Sequence, residues 1–172
     1  FDTKSIKKNN IFFAIKGNRY DGNNYIKNAI KNGSKIIVSE KKVNSKKNNI
    51  IFLKNNNPRK LLAQFSFKLI KKKPKRLIAV TGTNGKSSVT EFYFQILNLS
   101  KKKVGSIGTI GVKSKNKKKE ILNTTLDPIE LRKIINNFVD KKINFIILEA
   151  SSHGLKQNRL DGLLFDIGVF TN

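Results

Sequence analysis

There is no cysteine in the 172 residues, so neither a disulfide framework nor a thiolate metal site is available. The single histidine, His153, cannot make a zinc site by itself. Acidic side chains are scarce: 11 Asp and Glu stand against 36 Lys and Arg, a formal charge of +25. Such an excess raises a polyanion as partner. The lysines, however, are spread through the chain, as in Lys7-Lys8, Lys71-Lys72-Lys73, Lys101-Lys102-Lys103 and Lys117-Lys118-Lys119. They lack the interleaved aromatics or motif of a nucleic-acid binder. A general enrichment in Lys, Asn and Ile accounts for the charge better, so no nucleic-acid partner is expected. Long apolar runs are missing too: none approaches the ~20 residues that cross a bilayer, and no charged-then-apolar signal segment opens the chain. The expectation is a cytoplasmic protein with no membrane partner. Because the chain opens on Phe1 and stops at Asn172 directly after an apolar run, it reads as a fragment of a longer protein.

What is present is organised around Val80-Thr81-Gly82-Thr83-Asn84-Gly85-Lys86-Ser87-Ser88. Leu77-Ile78-Ala79-Val80 before it is a short apolar run rich in β formers, which predicts a buried strand. After it, Val89, Phe92, Tyr93, Ile96 and Leu97 fall at helical spacing and predict one apolar stripe. A glycine-rich turn between a strand and a helix suits a polyphosphate: glycines allow close backbone approach, and the helix start offers unpaired N–H groups and the positive end of its dipole. Lys86 then reaches the β- and γ-phosphates, and Ser87 supplies a hydroxyl to Mg²⁺. The usual P-loop has a glycine where Val80 stands, so this is a variant loop.

Ahead of this loop, Ile11 to Ile15, Lys35 to Val38 and Ile50 to Leu53 read as strands, with a short helix around Tyr25, Ala29 and Ile30 closed by Gly33. Asn57-Pro58 announces a helix with Leu61, Leu62, Phe65 and Leu69 on its inner side. Lys71 to Arg76 has no apolar periodicity and contains Pro74, which marks an interdomain linker. Beyond the loop, Val104 to Ile107 reads as a strand and Lys113 to Glu120 as a polar loop. Asp127-Pro128-Ile129-Glu130 predicts an N-cap with proline at the first helical position, continued by Leu131, Ile134, Ile135, Phe138 and Val139. Ile143 to Leu148 is a strand apolar on both faces, and Glu149 stands at its carboxyl end, where a doubly wound sheet gathers ligands and an acid holds Mg²⁺. Leu163 to Phe170, with Asp166 inside it, reads as one more strand. The fold class expected is α/β: a small N-terminal α/β domain, residues 1–72, then a P-loop-type, mostly parallel doubly wound central domain, residues 73–172, which is incomplete.

Taken together, Thr81 to Ser88, Asn123-Thr124-Thr125, and Glu149-Ala150-Ser151-Ser152-His153-Gly154-Leu155 with Gln157 and Arg159 resemble the Mur ligases of peptidoglycan synthesis, in particular the MurE type. Phe165-Asp166-Ile167-Gly168-Val169-Phe170-Thr171-Asn172 also falls in the family's order. The resemblance implies an ATP-dependent acid–amino-acid ligase that adds diaminopimelate or lysine to UDP-N-acetylmuramoyl-L-alanyl-D-glutamate through an acyl phosphate. It implies ATP bound by Gly82, Thr83, Asn84, Gly85, Lys86, Ser87 and Ser88, with Lys86 catalytic and Ser87 and Glu149 towards Mg²⁺. Asn123, Thr124, Thr125, Ser151, Gln157 and Arg159 match positions that hold the UDP-linked substrate, and Phe1, Thr3, Asn18, Arg19 and Tyr20 match uridine-nucleotide contacts. His153 is read as a structural hydrogen-bonding histidine rather than a general base. The family places a carbamylated lysine, a further Mg²⁺-linked histidine and an amino-acid-selecting C-terminal domain after the Thr-Asn pair, so this fragment alone is expected to be inactive and the full protein a monomer.

Two other readings use the same residues. A different P-loop enzyme, another Mur-type ligase among them, shares the turn but shows no dependence on this UDP-muramyl peptide. A basic nucleic-acid-binding module shows tight binding that falls steeply with ionic strength.

Overall fold

The computed structural model describes residues 6–17, 20–41, 49–115 and 117–172. The chain divides into two compact units, Phe1–Leu62 and Ala63–Asn172. In the first, β1 (Ile11–Ala14), β2 (Ile36–Ser39) and β3 (Ile51–Lys54) form a parallel sheet in the order β1-β2-β3. Between β1 and β2 the chain makes a 3-10 turn, Gly22–Tyr25, and the short helix α1 (Ile26–Lys31). Asp21 starts that turn by accepting from the Asn23 N–H at 2.9 Å, the side-chain capping that short polar residues provide. Phe12, Ala14 and Ile37 from the strands meet Ile26 and Ala29 from α1 in one apolar cluster. Gly33 ends α1 region in the left-handed conformation, φ 99°, which glycine adopts without a Cβ penalty.

Helix α2 (Pro58–Lys68) begins where Asn57 accepts from the Lys60 N–H at 2.9 Å. Its buried side consists of Leu62, Ala63, Ser66 and Phe67, whereas Phe65 and Leu69 are exposed. The stripe expected on Leu61, Phe65 and Leu69 is therefore rotated. The segment carries more apolar residues than one face can bury, and in the second unit Ala63 and Phe67 are the ones that enter the core with Leu77.

The second unit holds β4 (Arg76–Thr81), α3 (Lys86–Leu99), β5 (Val104–Gly108), β6 (Gly111–Ser114), β7 (Lys117–Lys119), α4 (Pro128–Asp140), β8 (Phe145–Glu149), α5 (Ser152–Lys156) and β9 (Ile167–Phe170). Its sheet runs β7-β6-β5-β8-β4-β9. The four strands β5, β8, β4 and β9 are mutually parallel, and β6 and β7 add an antiparallel edge. Alternation along the strands separates the two faces. Leu77, Ile146 and Leu148 join Leu131, Ile135 and Phe138 of α4 on one side. Ile78, Val80 and Ile147 lie under Val89 and Tyr93 of α3 on the other. This is the two-sided cover expected of a doubly wound sheet.

Local chemistry explains the elements. Asp127 caps α4 by accepting from the Ile129 and Glu130 N–H groups at 2.9 and 3.1 Å, and Pro128 occupies the first helical position, where no N–H is required. Gly105 lets α4 close on β5: a Cβ there would lie 2.4 Å from the Phe138 ring. Burying that ring is worth roughly 1.5–3 kcal/mol.

Three further expectations differ from the structure. On α3 the expected Val89 and Tyr93 do pack on the sheet, but the fully buried positions are Thr90 and Phe94, while Phe92 and Ile96 face solvent, because α3 carries apolar residues on more than one face and the sheet beneath it selects among them. Lys113-Ser114 and Lys117 to Lys119, expected in a loop, are strand: β6 and β7 pair there, and a two-residue turn at Thr109-Ile110 joins β5 to β6 through the Gly108↔Gly111 pair. Their lysines lack apolar alternation, so the backbone pairing leaves no sequence signal. Finally β9 starts at Ile167, with Asp166 at its entrance accepting from the Leu77 N–H at 2.8 Å and pairing with Lys73 at 3.0 Å. A side chain bonded to the neighbouring strand's backbone takes the place of a ladder bond.

Candidate active site

The carboxyl ends of β4, β8 and β5 converge, as the parallel register requires: Val80 pairs with Glu149 and Ile107 with Leu148. The loop leaving β4 reaches α3 through two residues of positive φ, Gly82 at 137° and Gly85 at 78°, and Gly85 is the N-cap of α3 with no side-chain cap bond. The first N–H groups of the helix therefore point out of its start without intrahelical partners. Lys86 folds back over this loop, its Nζ donating to Gly82 O at 2.8 Å and Thr83 O at 3.0 Å.

Glu149 is the last residue of β8 and only 2% exposed. Its carboxylate accepts from Ser87 Oγ at 3.1 Å, from the Thr109 N–H at 3.0 Å and from Thr109 Oγ1 at 2.9 Å. A buried carboxylate needs such donors to offset its lost hydration. Gly108 makes the room: a Cβ there would sit 2.2 Å from Glu149 Oε1. Thr109 in turn touches Thr124 Oγ1 at 3.0 Å, so the β5–β6 turn links the carboxylate to the Asn123-Thr124-Thr125 segment.

Around the same strand end, Thr125 Oγ1 donates to Glu149 O at 3.0 Å and accepts from the Ser151 N–H at 2.9 Å. Its contact with Ser151 Oγ is 3.0 Å. Ser151 caps α5 by accepting from the Gly154 N–H at 3.1 Å, and Gly154 is obligatory because a Cβ would lie 2.6 Å from Thr125 Cβ. Arg159 donates from Nη1 to Thr125 O and from Nε and Nη2 to Gln157 Oε1, at 3.1 and 2.8 Å. With the Gln157 oxygen turned to Arg159, its amide nitrogen faces His153 Nε2 at 2.7 Å and donates to it. His153 thus serves this chain of bonds as an acceptor.

The structure brings together Gly82, Thr83, Asn84, Gly85, Lys86, Ser87, Ser88, Thr124, Thr125, Glu149, Ser151, Gln157 and Arg159 at one end of the sheet. Asn123 is exposed on the segment before them. Tyr20, in the first unit, is also exposed, and Phe1, Thr3, Asn18 and Arg19 lie outside the described residues. Sequence reasoning missed Gly108 and Thr109, since a Gly-Thr pair ending a strand has no chemistry until the turn folds onto Glu149. It also missed Thr171 and Asn172 as neighbours of the loop.

Among the described residues no group of three or more His, Cys, Asp or Glu side chains could hold a metal. The donors that are present, Glu149 and the Ser87 and Thr109 hydroxyls, are hard oxygens. They fit Mg²⁺, which takes one or two carboxylates and completes its shell with water and phosphate oxygens. A thiolate or imidazole metal finds no ligand set here.

Comparison with known proteins agrees with this geometry. The model of the Mur ligase family, catalytic domain, matches residues 1–67, and that of the Mur ligase middle domain matches residues 80–172. Proteins named UDP-N-acetylmuramoyl-L-alanyl-D-glutamate--2,6-diaminopimelate ligase from Rickettsia prowazekii (strain Madrid E) and Wigglesworthia glossinidia brevipalpis are 39% and 41% identical to the chain. Each match covers 99% of this chain and 36% of the relative. A solved structure of a ligase of that name superposes with a TM-score of 0.83 at 28% identity, over 99% of this chain and 35% of the other. The MurF ligase from Thermotoga maritima in complex with ADP shares the fold, with a TM-score of 0.57 at 21% identity over 88% of this chain and 31% of the other. The chain thus spans about a third of the length of the relatives it matches, and it belongs to the Mur ligase family.

Proposed function

We propose that this chain supplies the nucleotide- and UDP-substrate-binding parts of an ATP-dependent ligase that adds diaminopimelate or lysine to UDP-N-acetylmuramoyl-L-alanyl-D-glutamate. Residues 1–72 are the UDP-substrate domain and residues 73–172 the ATP domain of this reading. The observation that carries it is the meeting, at one strand end, of the Lys86-Ser87 loop, the buried Glu149 and the Thr125–Ser151–Arg159 cluster. A phosphate cradle and a polar substrate shelf share one carboxylate-bearing strand. The names of the relatives favour diaminopimelate as the incoming amino acid.

In this reaction ATP is cleaved to ADP and phosphate as a substrate carboxylate is joined to an amine. The difficulty is bringing an anionic carboxylate to a polyanionic triphosphate. Lys86 leaves the two loop carbonyls for the phosphates, where its charge counts most as negative charge redistributes. Ser87 and Glu149 are the residues that would hold Mg²⁺, which when bound screens the phosphate oxygens. Arg159, fixed on Thr125 O and Gln157, presents a planar cation for a substrate phosphate or carboxylate. Thr124 and Ser151 offer hydroxyls that orient sugar and peptide groups. Thr125 is buried and holds Ser151 in place through its own bonds to Glu149 O and the Ser151 N–H, and holding both substrates in register supplies the remaining rate.

The test is phosphate release by the full natural chain with Mg-ATP and the UDP-dipeptide, adding diaminopimelate and lysine separately. Release requiring both the UDP-peptide and one amino acid is expected. Release that ignores both would assign a different P-loop enzyme instead.

A further inference from the structure

The end of the edge strand β9 is bonded to the phosphate loop, a contact the motif alone does not require. The Thr171 N–H donates to Thr81 O at 3.0 Å, and Thr171 Oγ1 faces Thr81 O at 3.2 Å and Asn84 O more closely. Asn172 Oδ1 accepts from the Thr83 N–H at 2.8 Å and from the Asn84 N–H at 3.0 Å. Both donors are N–H groups, so the atom facing them must be the oxygen and the amide orientation of Asn172 follows. The fit is close: a Cβ on Gly82 would stand 2.1 Å from Thr171 Oγ1, 3.1 Å from the Asn172 backbone nitrogen and 3.2 Å from Asn172 Oδ1.

We propose that Asn172 is a positioning residue for the nucleotide, a strut whose side-chain carbonyl takes the Thr83 and Asn84 amides and leaves the amides from Gly85 onward for phosphate. The inference rests on the reading of this loop as an ATP site. It answers a problem posed by the variant loop. The position where the usual pattern has its first glycine is occupied by Val80, which is fully buried and paired with Glu149 in the sheet, so it cannot join a wrap around phosphate. With that turn missing, the Thr83 and Asn84 amides of the remaining loop need another acceptor. Unheld, they would turn to water and let the loop sample many conformations, and ordering it would then weaken nucleotide binding. Asn172 supplies the acceptor from a neighbouring parallel strand. The donors left free are the first N–H groups of α3, which helix geometry leaves unpaired and whose dipole favours an anion.

Two variants of the full natural chain separate the strut from mere packing. Asn172→Ala removes the acceptor; Asn172→Asp keeps it but adds a negative charge beside the phosphates. Without nucleotide, hydrogen exchange at the Thr83 and Asn84 amides is expected to quicken about tenfold in Asn172→Ala and to stay slow in Asn172→Asp. By calorimetry both should bind MgADP about tenfold more weakly than wild type, the first through disorder and the second through repulsion. Unchanged exchange in Asn172→Ala, or MgADP binding as tight as or tighter than wild type, overturns the proposal, the tighter case marking Asn172 as a competitor for phosphate. Should Asn172→Ala fail to fold, Asn172→Asp decides alone: amides that lose protection despite the retained acceptor defeat the strut. Wild type failing to bind MgADP would instead sink the ATP-site reading itself.

Discussion

Ser87 Oγ donates to Glu149 Oε2 at 3.1 Å, although the two residues stand 62 positions apart. The bond joins the first turn of α3 to the last residue of β8. The hydrogen bond thus ties a helix start to a neighbouring strand end, and in the proposed reading, where both residues face Mg²⁺, removing the charge of Glu149 should be felt at Ser87.

Glu149→Gln keeps the shape of the side chain and an oxygen to accept from the Thr109 N–H, so the fold should persist with a melting midpoint within a few degrees of wild type. Turnover of the full natural chain should fall by about a hundredfold, the size of loss seen when an electrostatic group leaves a dry site. Phosphate release measured against magnesium concentration checks it; a wild-type magnesium response would remove Glu149 from the metal's partners.

For Lys86→Ala the expectation is near-complete loss of turnover with an unchanged far-ultraviolet circular dichroism spectrum. Among the described residues Lys86 bonds to the loop carbonyls of Gly82 and Thr83, so its removal takes charge from the site and little from the core. Near-normal turnover would refute its role.

Gly108→Ala probes the carboxylate's housing. A methyl group 2.2 Å from Glu149 Oε1 must push Glu149 out of its place between Ser87 and Thr109. Overpacking of this kind costs roughly 1–3 kcal/mol, readable as a lower denaturant midpoint at unchanged slope. A variant as stable as wild type would mean that the strand end yields more readily than its hydrogen bonds imply.

Asp166 carries a pH dependence. The Leu77 N–H first, and then the Lys73 ammonium, hold its carboxyl below the ordinary value of 3.8. A folded-state pKa below the unfolded one gives stability that is complete above the unfolded value and is lost as pH falls through the folded value. Melting midpoints taken from pH 7 down to pH 3 should therefore fall more steeply below about pH 4 in wild type than in Asp166→Asn. Parallel curves would show that Asp166 does not contribute to the acid limb.

The amino-acid sequence by itself determined the strand–loop–helix around Lys86, the capped helix from Pro128, and Glu149 ending an apolar strand. Each rests on chemistry between near neighbours: glycine where φ is positive, Asp127 capping amides two and three residues on, and apolar residues in an unbroken run. Tertiary structure decided which face of α2 and α3 is buried, because both segments carry more apolar residues than one side can use and the sheet selects among them. It also decided the site's wider membership. Thr109 reaches Glu149 only once the β5–β6 turn has formed, and Asn172 reaches Thr83 only once β9 has paired beside β4. Such hydrogen bonds join residues 40 and 89 positions apart, and no local preference records them, since they exist only when parallel strands bring their carboxyl ends to one edge.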